Sequence, residues 1–192
     1  MKVLARSGLY ALVLTVLLGG IYPALVTVFG RLLWPQQADG SFVTAGGRVV
    51  GSSLIGQRFA RPEYLHPRPS AAGKDGYDPT ASGGTNLGPT SAALARSVAA
   101  AVAAARADRP GDSRPVPADL VTSSASGVDP DLSPDAARWQ ALRVAKARGV
   151  SARTVLAVID RHVVPRTLGL LGEPRVNVLM TNLDLDRTFG RR

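Results

Sequence analysis

The residues with the strongest claim to chemistry are Ser82-Gly83-Gly84-Thr85-Asn86, where consecutive glycines stand among hydroxyl and amide side chains. Such a run can aim backbone N–H groups at an anion or hydroxyls at a partner's carbonyls, although Gly83-Gly84 would equally serve a tight turn. The two histidines, His66 and His162, are too far apart in kind to make a metal site: one lies between Leu65 and Pro67, the other where a helix ends and suits its dipole. A Ser-His-Asp set can be drawn from His66, Asp75 or Asp78 and Ser82, but no GxSxG elbow supports a hydrolase. Asp129-Pro130-Asp131 and Asp184-x-Asp186 have the spacing of divalent-ion ligands and also of turn and cap residues, so no metal is assigned. Gly73-Lys74 is followed by Asp75 and is not a P-loop. With no Cys, disulfides, thiolate metal sites and a Cys nucleophile are excluded. No catalytic residues are expected.

These candidates must be positioned by a chain that begins in a different solvent. An uncharged run from Ser7 to Gly30, closed by Arg31 and Trp34, predicts a membrane-spanning helix over 9–33 behind a short basic segment, 1–8. At about 1.5 Å per residue it is roughly 37 Å long, enough for a hydrocarbon core of about 30 Å. A cleavable secretion signal is the rival reading, but apolarity continues well beyond a signal's core, through Ile21, Leu25, Val26 and Phe29. The compact basic N-terminus, with Lys2 and Arg6, places that end in the cytoplasm and the following domain outside, at the cell membrane. Gly19, Gly20 and Pro23 suit a span packed closely on a neighbouring helix, while Gly and Pro are also simply commoner in spanning helices.

Residues 34–192 read as one tethered soluble domain, α/β or α+β, with no committed strand order. Its core must come mostly from Ala, Val and Leu, since the whole chain has four Phe, two Trp and four Tyr. The +9 formal charge comes from scattered arginines without stacked aromatics, which excludes a nucleic-acid interface and describes a solvated surface. Phe42 to Leu54 predicts a strand or hairpin turning at Gly46-Gly47, with Val49, Val50, Leu54 and Ile55 buried. A Pro/Gly-punctuated loop fills about 56–89; its Phe59, Tyr64 and Tyr77 could pin it, so it is expected to be ordered and functional. Helices follow from Thr90 or Ser91 to Asp108, from Ser133 to Gly149, and from Ser151 to Pro165, each with a hydroxyl N-cap. Between the first two, Val116 to Ser124 predicts a short extended segment, and Arg175 to Leu179 a final strand before a polar tail.

Several ordered motifs then resemble one family. Arg68-Pro69-Ser70-Ala71, Ser82-Gly83-Gly84-Thr85-Asn86-Leu87-Gly88-Pro89-Thr90, and Ser123 to Gly127 leading to Asp129-Pro130 and Ser133-Pro134 resemble the C subunit of the bacterial Kdp potassium-transporting ATPase. Gly51-Ser52-x-Leu54-Ile55-Gly56-Gln57, Arg143-Val144-Ala145-x-Ala147-Arg148-Gly149 and Arg166-Thr167-Leu168-Gly169-x-x-Gly172-Glu173-Pro174-Arg175-Val176-Asn177-Val178-Leu179 extend the likeness.

The resemblance implies a non-catalytic accessory subunit of a high-affinity potassium importer. Its partners would be a channel-like potassium-binding subunit, a P-type ATPase subunit and a small membrane subunit, with the outside domain covering the ion entrance. It also implies a role as catalytic chaperone that raises the ATPase subunit's affinity for ATP; the likeness of Ser82-Gly83-Gly84 to an ABC-transporter signature makes 82–86 the nucleotide or partner contact, and ATP the one cofactor in view. Such contact conflicts with a domain held outside. The alternative is a membrane-anchored nucleotide-binding module independent of any pump. Met180-Thr181 and the terminal Arg191-Arg192 depart from the family pattern and leave no contact assigned to the tail.

Overall fold

The computed structural model describes residues 1–191 and divides into two compact units, Met1–Val43 and Thr44–Arg192. In the first, one helical rod runs over Lys2–Leu33, long and apolar enough to cross a membrane. It consists of α1 (Lys2–Val16), a π-helical turn (Leu17–Ile21) and α2 (Tyr22–Leu33). The π turn has a local cause: Pro23 has no N–H to give and its ring crowds the carbonyl one turn back, so the hydrogen bonding widens just before it. Tyr22 N–H accordingly reaches Leu17 O, five residues back, and Thr27 Oγ1 donates to Pro23 O at 2.7 Å. A Cβ at Gly19 or Gly20 would meet nothing within 4 Å. A short α3 (Pro35–Ala38) follows, and Arg31 pairs with Asp39 at 3.4 Å.

The second unit is α+β. Its core sheet has the order β3-β5-β4, antiparallel throughout, from β3 (Asp131–Leu132), β4 (Val163–Val164) and β5 (Arg175–Asn177), with Leu132 and Val163 both opposite Val176. Against β5 pack α5 (Pro134–Trp139) and α8 (Val178–Phe189), and α7 (Ala152–Arg161) packs on both of these and on α6 (Ala141–Arg148). Leu65, Leu132, Val144, Val155, Ile159, Val176 and Leu185 are fully buried at their junction, so the core is indeed aliphatic. The predicted caps are in place: Ser91 for α4 (Ala92–Ala107), Ser133 for α5 and Ser151 for α7 each accept a backbone N–H.

Four expectations are corrected. β1 (Phe42–Ala45) and β2 (Arg48–Ser52) form the predicted hairpin, but Val49 and Leu54 are each 61% exposed and Ile55 is exposed as well, because a separate two-stranded sheet buries little. The segment 116–124 is no strand; it contains a 3₁₀ turn, Ala118–Leu120. The helix expected from Ser133 to Gly149 breaks at Gln140, where Arg109 takes the carbonyls that would continue the ladder: Nε donates to Trp139 O at 2.6 Å and Nη2 to Arg138 O at 2.7 Å. The final strand stops at Asn177, whose side chain accepts Met180 N–H and starts α8 where a polar tail was expected.

What holds the unit's three distant segments together is Arg148, whose side chain is wholly buried. Its Nε donates to Glu63 O at 2.8 Å, Nη1 to Leu185 O and Gly190 O at 3.2 Å each, and Nη2 to Asp186 at 2.7 Å. Tyr64 stacks on the guanidinium at 5.2 Å and donates to Asp186 at 2.9 Å. Burial raises the Tyr64 phenol pKa, and its bond to the Asp186 carboxylate adds to the effect. Replacing Arg148 by Ala strands a carboxylate and buried carbonyls, so the unfolding free energy of the detergent-solubilised chain should fall by about 3–5 kcal/mol in denaturant titration.

Candidate functional site

The loop over 56–89 is ordered by a second loop far along the chain. Ser70 Oγ donates to Gly127 O at 2.5 Å and accepts Ala72 N–H at 3.1 Å and Tyr77 N–H at 2.8 Å. Tyr77, itself at φ +59°, donates to Arg68 O at 2.6 Å. Arg68 pairs with Asp129 at 3.1 Å, Ser124 N–H reaches Pro69 O at 3.3 Å, and Ser124 Oγ accepts Gly127 N–H at 2.8 Å. Gly127 is fixed as glycine twice over: φ is +68°, and a Cβ would lie 2.6 Å from Ala72 Cβ and 2.8 Å from Gly83 O.

The singled-out run lies along this junction. Ser82 Oγ and Gly83 N–H both donate to Ser126 O at 2.9 Å. Gly84 is appressed to Ala125, whose carbonyl would be 3.2 Å from an added Cβ. Thr85 and Asn86, the latter at φ +52°, are exposed. Gly83 thus spends its N–H on a carbonyl inside the protein, while the outward groups of the run are those of Thr85 and Asn86. Gly19, Gly20 and Pro23 lie in the other unit, at the π turn and the start of α2.

The paper triad does not assemble. His66 Nε2 lies 3.0 Å from Arg61 O, Asp78 accepts Thr80 N–H at 2.9 Å to cap a 3₁₀ turn (Pro79–Ala81), and Ser82 is on Ser126. His66 instead belongs to a cluster around Arg143, whose Nε donates to Asp108 at 2.8 Å, Nη1 to Pro62 O and Tyr64 O at 2.7 and 3.0 Å, and Nη2 to Gln140 Oε1 at 2.6 Å. Gln140 also receives His66 N–H and donates to His66 O. Burial, then the Arg143 charge, lowers the His66 pKa.

Each aspartate of the two predicted pairs has a basic or amide partner. Asp129 holds Arg68; Asp131 meets Arg175 at 3.2 Å and Asn177 at 3.1 Å, with burial raising its pKa. Asp184 meets His162 at 3.0 Å and Arg161 at 3.2 Å; burial pushes its pKa up, but these bonds outweigh that and leave it lowered. Asp186 belongs to Arg148.

Two clefts went unseen in the sequence because they are assembled from distant segments. One, about 670 Å³, is lined by Arg114, Arg138, Trp139 and Leu156. Arg109 and Arg114 stack on Trp139 at 5.2 and 5.9 Å, and Trp139 Nε1 donates to Ala105 O at 3.1 Å. The other, about 490 Å³, is lined by Gln57, Arg58, Phe59, Tyr64, Asp186 and Arg187. Here the Gln57 carboxamide lies over Gly51, where an added Cβ would displace it, and its Nε2 donates to Val50 O at 2.9 Å. In the sequence Arg58-Phe59 and Arg138-Trp139 each set a basic residue beside an aromatic one, but Arg109 stands 30 positions from Trp139 and gives no such signal.

Ser70→Ala removes three hydrogen bonds from the loop junction; it should cost about 1–3 kcal/mol and hasten proteolytic cleavage within 56–89. For His66 the lowered folded pKa means that the unfolded chain takes up a proton first as pH falls. Stability from this group is therefore complete above pH about 6.5 and is lost progressively below it, and His66→Asn should flatten that part of the pH profile in thermal melts.

Residues 4–187 match the family model described as "K+-transporting ATPase, c chain". A protein of Myxococcus xanthus named "Potassium-transporting ATPase KdpC subunit" is 60% identical over 91% of this chain and 83% of its own length. Proteins of the same name from Methylibium petroleiphilum (53% identical, covering 100% of both chains) and Geobacter sulfurreducens (50%, covering 97% and 98%) are similarly related throughout. A match of this extent leaves neither unit outside it: the chain belongs to the K+-transporting ATPase c-chain family.

Proposed function

We propose that the chain is the non-catalytic accessory subunit of an ATP-driven potassium import complex, holding the channel-like and P-type ATPase subunits together beside a small membrane subunit. The observation that carries this reading is the near end-to-end relation to chains named as KdpC subunits. It agrees with a domain in which the side chains of Ser70, Ser82, His66 and Asp129 are engaged in bonds within the fold. The span contributes by packing: Gly19 and Gly20, which carry no side chain, leave an open spot near Pro23 where a neighbouring helix can approach. Thr85 and Asn86, exposed beside an anchored Ser82-Gly83-Gly84, serve as the matching polar contact of the domain. The basic residues Lys2 and Arg6 favour a cytoplasmic N-terminus and a domain outside the cell.

The chaperone reading, in which 82–86 touches ATP, rests on the glycine run and the family likeness. Donation of Gly83 N–H to Ser126 O counts against a phosphate cradle at that residue. Sidedness separates the two. A single Cys placed at the exposed Ser113 should react with an impermeant maleimide in intact cells; reaction only after permeabilisation would place the domain inside and favour the ATP role. With the other subunits co-expressed, Gly20→Leu should leave the chain in the membrane but reduce its recovery with them about tenfold, read by quantitative co-purification. Equal recovery would remove the glycine face from the interface.

A further inference from the structure

The connection between β4 and β5 is built in a way that folding alone does not require. Thr167 and Leu171 form a bridge with both N–H···O bonds at 2.9 Å. Between them, Leu168 and Gly169 have φ of +54° and +74°, and Leu170 N–H returns to Thr167 O at 3.2 Å. Two successive positive-φ residues make a primed hairpin turn, for which Asn-Gly or Asp-Gly is the comfortable pair. This chain instead places leucine at the strained position, and Leu168 is 88% exposed with Leu170 at 79% and Leu171 at 63%. Left-handed backbone at an apolar branched side chain costs on the order of 1 kcal/mol, and exposed leucines add nothing to the core. Below the tip, one guanidinium nitrogen of Arg166 bonds both oxygens of Glu173, at 2.8 and 2.6 Å, and clamps the base.

We infer that this tip is an assembly knob, which seats Leu168 and Leu170 in an apolar, uncharged socket on another subunit of the potassium-transporting ATPase. The inference rests on the subunit reading above. The charge pattern selects the occupant: Arg166 is paired with Glu173, Arg175 with Asp131 and Arg161 with Asp184, so the nearby cations are already engaged rather than presented to anionic headgroups. Residues 163–175 contain no Trp or Tyr of the kind that anchors a loop at a bilayer surface. A hydrogen-bonded, clamped turn has already lost most of the entropy that docking into a shaped socket would cost, a property a fluid lipid surface does not reward.

The test uses the complete complex, co-expressed and purified through a tag on another subunit. Leu168→Asn with Leu170→Ser suits the turn better than the natural pair, so the solitary chain should melt at the same temperature or higher, while its retention in the complex falls at least tenfold. Unchanged retention would overturn the knob. Failure of the unaltered chain to co-purify would instead overturn the subunit reading beneath it. A photo-crosslinking amino acid at position 170 should give an adduct with another subunit; adducts only with lipid or with a second copy of this chain would also overturn the proposal.

Discussion

One guanidinium, that of Arg148, is the point on which the soluble unit closes. A buried cation is tolerable only when every donor finds an acceptor and a counter-charge is close. Here the acceptors come from the start of the long loop, from the end of α8 and from the chain beyond it, so the charge can be satisfied only when all three are in their native places. The aliphatic core contributes most of the apolar burial but little directionality. Arg148 supplies the directionality, and Asn182 repeats the device by exchanging two bonds with the Leu65 backbone at 2.8 and 3.0 Å. The loop is therefore fastened to the body both through its own main chain, at Glu63 and Leu65, and through the side chains of Tyr64, Arg68 and Ser70.

The same economy recurs at smaller scale. Arg109 interrupts a helix by capping carbonyls from the side, Gln140 at the break binds both backbone groups of His66, and Ser70 serves as acceptor and donor for three others. The polar residues that looked reactive in the sequence are thus mostly backbone partners for irregular chain. A domain with so much loop needs them, because each buried N–H and C=O outside a helix or sheet must find a partner elsewhere.

Legibility in the sequence followed the range of the interaction. The caps Ser91, Ser133 and Ser151 act within three residues and were readable, as was the hairpin turn at Gly46-Gly47 and the loop's Pro/Gly punctuation. The break at Gln140 was not, since its cause, Arg109, stands some thirty positions away. The C-terminal helix was missed because its buried face mixes Leu179 and Leu185 with Thr181 and Asn182, which look polar until the Leu65 backbone is placed beside them. The run Ser82-Gly83-Gly84 was visibly special, but the reason, a fit against Ala125 and Ser126, belonged to another segment. Motif order across the chain carried the family where single motifs did not.

The π turn at Leu17–Ile21 has a geometric consequence for the N-terminal apolar helix. An α-helix advances about 100° per residue, so one extra residue accommodated in a turn rotates everything beyond it by about that angle relative to an unbroken helix. The stripe continuing from α1 therefore does not continue into α2, and residues spaced seven apart across Gly19-Gly20 point in different directions. The rod offers two faces, one on either side of the π turn, each able to meet a different neighbour.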